Sequence, residues 1–402
     1  MKKLLTVLLL MSVAYSGYSQ HWVVKNSGVT DGILYKVIFV NDSVGYAVGN
    51  NNTNNFVLKT TDAGEHWANM STSVINKMVK GIYFSNKDTG FVVGKQGSIY
   101  KTVDGGTNWV SKNAGTTFDF NDICFIGLLD GFAIGKQGNF KLSPNAGNAW
   151  GNGNLVTTED LSDILFVNDT LGFLFAANNG KAWKTINGGL NWDTLKTFPV
   201  KINDASFVNT NVGYVCGPNN YVRRTLNSGQ TWTSMAPAGY SGKEFYSIFS
   251  LGNEGYVAGD SGLILYTTNG GGVWKKDTTS TNQKIYSLYF TNKDVGYAVG
   301  ANGLIMKRVP KPTVGIKEAN GLLDLSIYPN PIDNKAMVRF SSNVTGTFVV
   351  NITDLRGKFL GSKEYLTKDN SFEINLSGYE QGVYLLRIIH GKEQVCKMIL
   401  KK

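Results

Sequence analysis

The sequence is short of several residue types, and each shortage argues against a class of protein. Only three cysteines occur in 402 residues, at unrelated positions, so the chain predicts free thiols rather than a disulfide framework. Three histidines lie far apart and offer no metal-ligand spacing. Charged residues make up 17%, and the net charge of +10 is spread along the chain without a basic block. Nucleic-acid binding is therefore not indicated.

Proline is scarce too, with 8 residues, whereas glycine reaches 47 and aromatic residues 12%. This composition is typical of a turn-rich, all-β protein, and the length allows one large domain and a small one. The sequence contains neither a nucleophile elbow nor a phosphate-binding loop. We therefore expect no catalytic residue, no metal and no cofactor.

The chain begins with a segment typical of exported proteins. Lys2 and Lys3 precede an apolar run, residues 4–13, that is too short to span a bilayer. Gly17-Tyr18-Ser19 has the small-x-small pattern of a cleavage site. Residues 1–19 are therefore predicted to be a signal peptide, and no other stretch has the length and apolarity of a transmembrane segment.

A repeat fills residues 20–309. A phenylalanine, followed six residues later by a Gly-aromatic pair, occurs seven times, at Phe39, Phe84, Phe125, Phe166, Phe207, Phe249 and Phe290. Each repeat of about 40 residues has the pattern of four short strands with Gly- and Asn-rich turns, which is typical of a propeller blade. Because a single four-stranded sheet cannot bury both faces, the blades must pack on one another. The sequence predicts a seven-bladed β-propeller.

The N-terminal segment is predicted to complete the last blade. Six repeats end in a tryptophan, namely Trp67, Trp109, Trp150, Trp192, Trp232 and Trp274, whereas the seventh ends near Val309 without one. Residues 21–28 parallel residues 108–115, which places Trp22 at the missing position. We expect this segment to supply the outer strand of the seventh blade and so remove an open edge.

The turn before each of the six tryptophans has its own pattern, with Asp or Asn and then a glycine two residues on. The Asp or Asn positions are Asp62, Asp104, Asn145, Asn187, Asn227 and Asn269. The pattern resembles the Asp-box, Ser/Thr-x-Asp-x-Gly-x-x-Trp, of bacterial neuraminidase repeats. The carboxylate or amide bonds the turn backbone, and glycine permits a positive φ, so we interpret these residues as structural rather than catalytic.

The whole repeat, Phe-x5-Gly-Tyr-x-x-Gly followed by Lys-Thr-x-Asp-Gly-Gly-x-x-Trp, resembles that of photosystem II assembly and stability factors. That family engages its photosynthetic partner with an arginine-rich face, but this segment has only Arg223, Arg224 and Arg308. The resemblance therefore implies the fold and not that function. The alternative is an Asp-box glycoside hydrolase of the sialidase or xyloglucanase type, which would need an arginine triad or a carboxylate pair in a cleft between two propellers.

One set of polar residues is a candidate ligand site. Three residues before the repeating phenylalanine, consecutive blades carry Asp122, Asp163 and Asp204, and the other blades carry Lys36, Gly81, Tyr246 and Ser287. These positions begin the innermost strands near the channel mouth, where three carboxylates could bind a cation or a polar ligand. The alternative is that each aspartate caps local loop backbone. Lys95 and Lys136, in matching turns of neighbouring blades, are added as candidate ligand contacts.

The pattern changes after the repeats. Residues 310–324 contain Pro310 and Pro312 and are predicted to be a linker, and short strand patterns over residues 325–402 predict a small β-sandwich. This segment resembles the type A C-terminal sorting domain of the type IX secretion system. The matching residues include Tyr328, Pro329, Asn330, Pro331, Gly357 and Lys358.

The resemblance implies passage through the periplasm to the outer surface or the medium, with the secretion machinery as a partner. We therefore expect an exported, monomeric binding scaffold of a Gram-negative bacterium, with an unknown protein or glycan as its ligand.

Overall fold

The computed structural model describes residues 21–51, 53–155, 157–195, 197–309, 325–341, 344–354, 358–367, 369–391 and 393–402. The chain divides into two compact units, Met1–Lys311 and Pro312–Lys402. The predicted signal peptide, 1–19, and the predicted linker, 310–324, lie outside the described residues. Apart from four short 3-10 turns, all regular secondary structure in the described part is β-strand, as the composition predicted, and its three cysteines are free thiols.

The described part of the first unit begins with strand β1, His21–Lys25. The next two sheets contain β2 (Ile33–Phe39), β3 (Gly45–Asn50), β4 (Asn55–Thr60), β5 (Ala68–Asn69), β6 (Val79–Phe84), β7 (Gly90–Gly94), β8 (Ile99–Thr102) and β9 (Val110–Lys112). The third and fourth contain β10 (Phe120–Ile126), β11 (Asp130–Gly135), β12 (Phe140–Ser143), β13 (Gly151–Asn152), β14 (Leu161–Phe166), β15 (Gly172–Ala176), β16 (Ala182–Thr185) and β17 (Asp193–Thr194). The last three contain β18 (Asp204–Phe207), β19 (Gly213–Gly217), β20 (Tyr221–Thr225), β21 (Thr233–Ser234), β22 (Phe245–Leu251), β23 (Glu254–Gly259), β24 (Ile264–Thr267), β25 (Lys275–Lys276), β26 (Ile285–Phe290), β27 (Gly296–Gly300) and β28 (Ile305–Val309).

These strands form seven four-stranded antiparallel sheets within the described residues. In six of them the strands pair in chain order, and in the seventh β1 pairs with β28 beside β27 and β26. The register of that pair runs from His21 opposite Val309 to Lys25 opposite Ile305. In four sheets the second and third strands are joined by a short 3-10 turn, at Lys95–Gly97, Lys136–Gly138, Asp260–Gly262 and Ala301–Gly303.

The repeated aromatic residues pack between neighbouring sheets. Tyr46 of the first sheet stacks on Phe84 of the second, with ring centroids 3.6 Å apart, and Trp109 meets the edge of the same ring at 6.2 Å. The Phe84 ring also covers Gly90, where a Cβ atom would lie 2.3 Å from the ring. The recurring glycine is therefore required by this close approach of an aromatic ring to backbone.

The seventh sheet packs on the first in the same way. Tyr297 stacks on Phe39 with centroids 3.7 Å apart, and its hydroxyl donates to the Ala63 carbonyl at 2.9 Å. The Tyr289 hydroxyl donates to the Phe39 carbonyl at 2.8 Å. Residues about 250 positions apart are thus joined, so the two ends of the repeat array are in contact.

Trp22 occupies the position in the seventh sheet that the other tryptophans occupy in theirs. It is buried, and its ring meets the edge of Phe290 at 5.9 Å, as Trp109 meets Phe84. Its indole Nε1 donates to Asp277 Oδ2 at 3.1 Å, and Arg308 Nε donates to the same oxygen at 3.3 Å. This buried contact connects β1 with the sixth and seventh sheets.

The described residues of the second unit form two sheets. Their strands are β29 (Leu325–Tyr328), β30 (Lys335–Phe340), β31 (Gly346–Asp354), β32 (Phe359–Thr367), β33 (Ser371–Asn375), β34 (Gly382–His390) and β35 (Glu393–Lys401). The orders are β29-β30-β33 and β32-β31-β34-β35. Phe340 and Phe372 of the first sheet pack with Phe348 and Leu386 of the second in one core.

Candidate functional site

Six of the seven sheets in the first unit have a β-bulge in one strand, namely β2, β6, β10, β14, β22 and β26. In six sheets the pairing register skips one residue, and in the fifth sheet Asn203 directly precedes β18. These seven residues are Tyr35, Lys80, Asn121, Ser162, Asn203, Tyr246 and Tyr286, and all of them line one cavity. Bulges redirect side chains, and here they direct one from each sheet to a common place.

The cavity has a volume of about 340 Å³ and two unlike sides. The sixth, seventh and first sheets contribute three tyrosines in succession, Tyr246, Tyr286 and Tyr35, which we call the tyrosine arc. Neighbouring ring centroids are 5.0 and 6.2 Å apart. The other sheets contribute amide, hydroxyl and ammonium groups. The wall thus offers aromatic faces on one side and hydrogen-bonding groups on the other, as small-ligand sites often do.

The next residue along each bulged strand lines the same cavity in most sheets. Asp122, Asp163 and Asp204 meet there, as the sequence predicted, and we call them the carboxylate cluster. Lys36 reaches the cluster from the first sheet, with its Nζ 2.6 Å from Asp122 Oδ1. Asp122 is 86 positions away from Lys36 in the chain, so sequence proximity gave no sign of this ion pair.

The hydrogen bonds of the cluster run mainly between sheets. Asp204 Oδ2 accepts from the Ser247 hydroxyl at 2.8 Å and from the Ile248 amide at 2.9 Å, both on β22. Asp122 Oδ2 accepts from the Ile164 amide of β14 at 3.5 Å. The alternative, that each aspartate caps local loop backbone, therefore accounts only for the bond from the Ala205 amide to Asp204 Oδ1, at 2.9 Å.

Asp163 is the exception in the cluster. The residue is 9% exposed, and its Oδ2 has no hydrogen-bond donor in the part of the chain that the structure describes. Burial raises the pKa of Asp163 well above its usual range, and the nearby Asp204 and Asp122 carboxylates raise it further. Burial and the two carboxylates thus favour the protonated form of Asp163, and a hydrogen bond with Asp122 favours it too.

The other ionisable groups of the cluster respond to the same burial. It raises the pKa of Asp204 to about 6, although the hydrogen bonds from Ile248 and Ser247 oppose it. Burial alone would lower the pKa of Lys36, but the carboxylates outweigh it and leave that pKa above its usual value. The ammonium of Lys36 is therefore charged throughout the physiological range.

A metal ion does not fit this arrangement. No group of three or more His, Cys, Asp or Glu side chains among the described residues is placed to hold one. In addition, Lys36 already supplies a positive charge to Asp122, which leaves less negative charge there for a metal ion. The amide, hydroxyl and ammonium groups of the same wall suit a polar ligand.

Two further predictions concern where Lys95 and Lys136 lie and which residue of the sixth sheet is equivalent to Asp122. Lys95 and Lys136 line an adjoining cavity of about 220 Å³ that shares three residues with the first, namely Tyr35, Lys80 and Asn121. Tyr246, however, is not the equivalent of Asp122 in the sixth sheet. The register there is shifted by one residue, with Phe249 opposite Tyr256, so Ser247 takes that place and Tyr246 is the bulge residue.

The bulge residues were the part of the site that sequence reasoning missed. Their signal was available, because six of the seven stand one position before a residue that was singled out, at about the same period of 41 residues. The seventh, Tyr246, was singled out itself, as the equivalent of Asp122. The bulge itself could not be predicted, since the strand pattern alone does not show which residue the pairing skips.

The Asp-box residues form surface turns outside both cavities. Asp62 Oδ1 accepts from the His66 amide at 3.0 Å, and Asp104 Oδ1 from the Asn108 amide at 2.8 Å. The same bond, from the backbone amide four residues on, is made by Asn145, Asn187, Asn227 and Asn269. The bond from the His66 amide holds the pKa of Asp62 below its usual range. These contacts are within each turn, in keeping with a structural role.

The predicted sorting motif has contacts within the second unit. The Leu400 amide donates to Asn330 Oδ1 at 2.9 Å, and Asn330 Nδ2 donates to the Met398 carbonyl at 3.1 Å, so the motif is bonded to β35. The peptide bonds before Pro329 and Pro331 are both cis. The Lys358 amide donates to Asp354 Oδ1 at 2.9 Å, whereas Gly357 lies outside the described residues.

Comparison with known proteins agrees with the architecture. Residues 70–158 and 195–280 match the family model of the photosynthesis system II assembly factor YCF48. The first unit is a YCF48-like β-propeller. YCF48 from Cyanidioschyzon merolae has 17% identity and a TM-score of 0.61, over 73% of this chain and 100% of that one. A structure of YCF48 bound to D1 peptide has 18% identity and a TM-score of 0.62, over 72% and 97% of the two chains.

The YCF48-like propeller also resembles an enzyme fold. The GH74 xyloglucanase from Xanthomonas campestris has 9% identity and a TM-score of 0.60, over 80% of this chain and 59% of that one. At such low identity these likenesses show the fold alone. No curated protein matches the chain in sequence.

Residues 326–402 match the secretion system C-terminal sorting domain. This match indicates export through the type IX secretion system. In the described part of the chain, no helix has the length and apolarity needed to span a membrane.

Proposed function

We propose that this protein is a non-catalytic binding scaffold of the cell surface or the surrounding medium. The scaffold is a closed, seven-bladed propeller whose channel mouth takes a protein or glycan ligand. The C-terminal β-sandwich delivers it across the outer membrane, after a signal peptide has directed it across the inner one. This proposal combines the YCF48-like fold with the sorting-domain match.

The observation that carries the proposal is the tyrosine arc. Aromatic side chains on a protein surface are favoured in binding sites, because they bury a large apolar area and lose little conformational entropy. Here three of them face the same cavity as the amide and hydroxyl groups of Asn121 and Ser162. An apolar face opposite convergent polar groups suits a ligand that has both kinds of surface.

A glycoside hydrolase is the second candidate, and the carboxylate cluster is the observation that favours it. A general acid needs a pKa near the working pH, and the pKa values of Asp163 and Asp204 are both raised. Against it, both Asp204 oxygens accept hydrogen bonds from neighbouring backbone or side chains, and Asp122 is paired with Lys36. A hydrolytic pair needs carboxyl groups that are free to reach both sides of a sugar bond.

A glycan and peptide array probed with the purified full chain tests the proposal. We expect Tyr286→Ala to weaken binding about tenfold, because it removes the central ring of the tyrosine arc; this corresponds to about 1.4 kcal/mol. Phe118→Ala is the matched control, since Phe118 is an exposed aromatic residue outside both cavities and its loss should leave binding unchanged.

Two results would count against the scaffold. Equal weakening by the two substitutions would mean that binding does not involve the cavity. Release of reducing sugar from an array-positive glycan, abolished by both Asp163→Asn and Asp204→Asn, would instead establish the hydrolase.

A further inference from the structure

The cavity lined by the tyrosine arc is the first of three cavities that adjoin one another. The second, of about 220 Å³, shares Tyr35, Lys80 and Asn121 with it. The third, of about 570 Å³, shares Tyr35, Asn50 and Met78 with the second. We call this row of cavities the groove. Because Tyr35 lines all three, the groove suits a chain of several linked units better than a single small molecule.

Three lysine side chains meet at the second cavity, namely Lys80, Lys95 and Lys136. Lys80 belongs to β6, and the other two belong to matching 3-10 turns of the second and third sheets. Asp119 is the only carboxylate among the described residues that line this cavity. One of its oxygens accepts from the Gln96 amide at 3.0 Å, and the other lies 3.5 Å from Lys136 Nζ. Three ammonium groups therefore face one carboxylate.

Lys80 and Lys95 have no carboxylate partner in the part of the chain that the structure describes. Lys80 Nζ donates to an amide oxygen, Asn121 Oδ1, at 3.1 Å. The Lys95 ammonium makes no hydrogen bond or ion pair with a described residue. Desolvation by the surrounding protein lowers the pKa of Lys80, and the carboxylates of Asp122 and Asp119 do not offset it. Both ammonium groups are therefore without a counter-charge.

The other lysines of the first cavity are paired with carboxylates. Lys36 Nζ lies 2.6 Å from Asp122 Oδ1, and Lys201 Nζ lies 2.7 Å from Glu244 Oε1. The unpaired positive charge is thus concentrated at the second cavity. Two ammonium groups without counter-charges in one cavity favour the binding of an anion.

We propose that the groove binds an acidic polysaccharide, with a carboxylate or sulfate group of the sugar chain held by Lys80 and Lys95. The inference rests on the scaffold function and specifies its ligand as a charged glycan. Ammonium groups bind such oxyanions through short, charge-assisted hydrogen bonds. Because the lysines of the first cavity are already paired, that cavity suits an uncharged sugar next to the charged one.

The rest of the groove fits sugar rings. The tyrosine arc offers three aromatic faces in succession, on which the apolar face of a sugar ring can pack. The third cavity is lined mainly by polar side chains that suit sugar hydroxyl groups, namely Asp31, Asn50, Asn51, Thr53 and Asn302. An acidic side chain of a peptide has neither a flat ring face nor hydroxyl groups. The lining therefore favours an acidic polysaccharide over an acidic peptide.

Isothermal titration calorimetry of the full chain with three hexasaccharides tests this inference. A hyaluronan fragment has a carboxylate on alternate sugars, a κ-carrageenan fragment has a sulfate on alternate sugars, and a neoagarose fragment has no charge. We expect saturable binding of at least one acidic fragment, which identifies the anion, and binding of the neutral fragment that is weaker by about tenfold or more. The double variant Lys80→Gln, Lys95→Gln should weaken binding of the acidic fragment by about tenfold or more, because charge-assisted hydrogen bonds are lost.

The double variant Lys275→Gln, Lys276→Gln is the matched control. Both residues are exposed on β25, lie outside all three cavities and remove the same charge from the chain. This control should bind the acidic fragment as the wild type does, because only the net charge has changed. Circular dichroism should be the same for both double variants and the wild type, since all four lysines are accessible.

Equal weakening by the two double variants, equal affinity for the neutral fragment, or no binding of either acidic fragment would overturn the inference. Hexaglutamate and oligothymidylate serve as other polyanions: if either binds through Lys80 and Lys95 as tightly as the acidic sugars, the polysaccharide assignment is wrong. The effect of Tyr286→Ala on the array decides the scaffold function separately. A ligand that depends on Tyr286 but not on Lys80 and Lys95 would support the scaffold and overturn this inference.

Discussion

Asp163 is the residue whose chemistry depends most on its surroundings. Its neighbours in sequence, Ser162 and Ile164, give no reason for an unusual pKa. The shift comes from burial and from two carboxyl groups that lie about 40 residues away in either direction. A neutral carboxylic acid at this place avoids three negative charges around one ammonium.

The pH dependence of stability follows from this titration. A carboxyl whose pKa is higher in the folded chain binds more protons when folded, so its contribution is full below the unfolded pKa of about 4 and is lost as pH rises through the folded pKa. For Asp204 that window ends near pH 6, and the pKa of Asp163 is raised in the same direction by burial.

We expect Asp163→Asn to raise the free energy of unfolding relative to the wild type, and to raise it more at pH 8 than at pH 5. The amide keeps a donor for Asp122 and cannot ionise. Urea unfolding at the two pH values measures the difference. Asp104→Asn is the control: local hydrogen bonds hold the pKa of Asp104 below its usual range, so its effect should be the same at both pH values. An equal effect of Asp163→Asn at pH 5 and pH 8 would show that Asp163 does not titrate as described.

Strand β1 is the element on which the arrangement of the first unit depends. It gives the seventh sheet its fourth strand, and it covers an edge of β28 that would otherwise present unpaired backbone groups. Trp22 adds a buried side chain whose removal would leave a cavity. Its loss would also remove the indole donor from Asp277, whose pKa is raised by burial.

Deleting residues 21–28 should therefore lower the melting temperature markedly and favour self-association through the exposed edge. Trp22→Ala alone should cost about 3–5 kcal/mol of unfolding free energy, the usual cost for a large buried aromatic residue. Val24→Ala is the matched control on the same strand, because Val24 is 50% exposed and should cost less than about 0.5 kcal/mol. Calorimetry and gel filtration measure both effects, and an unchanged melting temperature of the deletion would rule out closure by β1.

The whole molecule joins a unit that could bind a ligand to a unit that resembles a secretion signal. Each unit has its own core, and residues 326–402 match the sorting domain almost from end to end of the second unit. A unit with its own core can be removed without exposing the core of the other.

Deleting residues 325–402 should leave a folded propeller that stays in the periplasm of a host with a type IX secretion system. Immunoblots of the periplasmic, surface and medium fractions measure the distribution. Deletion of residues 21–28 serves as the comparison, because it damages the propeller and leaves the sorting domain intact. Normal surface delivery of the chain without residues 325–402 would contradict the proposed role of the domain.

The sequence by itself determined the repeat, the structural place of Trp22 and the Asp-box turns. These features depend on spacing along one chain: a period near 41 residues marks each sheet, and a turn bonds residues four positions apart. It also placed Asp122, Asp163 and Asp204 at equivalent positions, which is why their meeting in one cavity could be predicted.

Only the tertiary structure decided the hydrogen bonds, ion pairs and pKa values of these three aspartates. The bulges direct Tyr35, Tyr246 and Tyr286 into the cavity. The packing of the sheets brings Lys36 to Asp122 and leaves Asp163 Oδ2 without a hydrogen-bond donor among the described residues. Burial and distances of a few ångströms set charge and pKa, and these distances join residues tens of positions apart. The repeat pattern therefore specified which side chains occupy equivalent positions in neighbouring sheets, and the tertiary structure decided which of them are ionised.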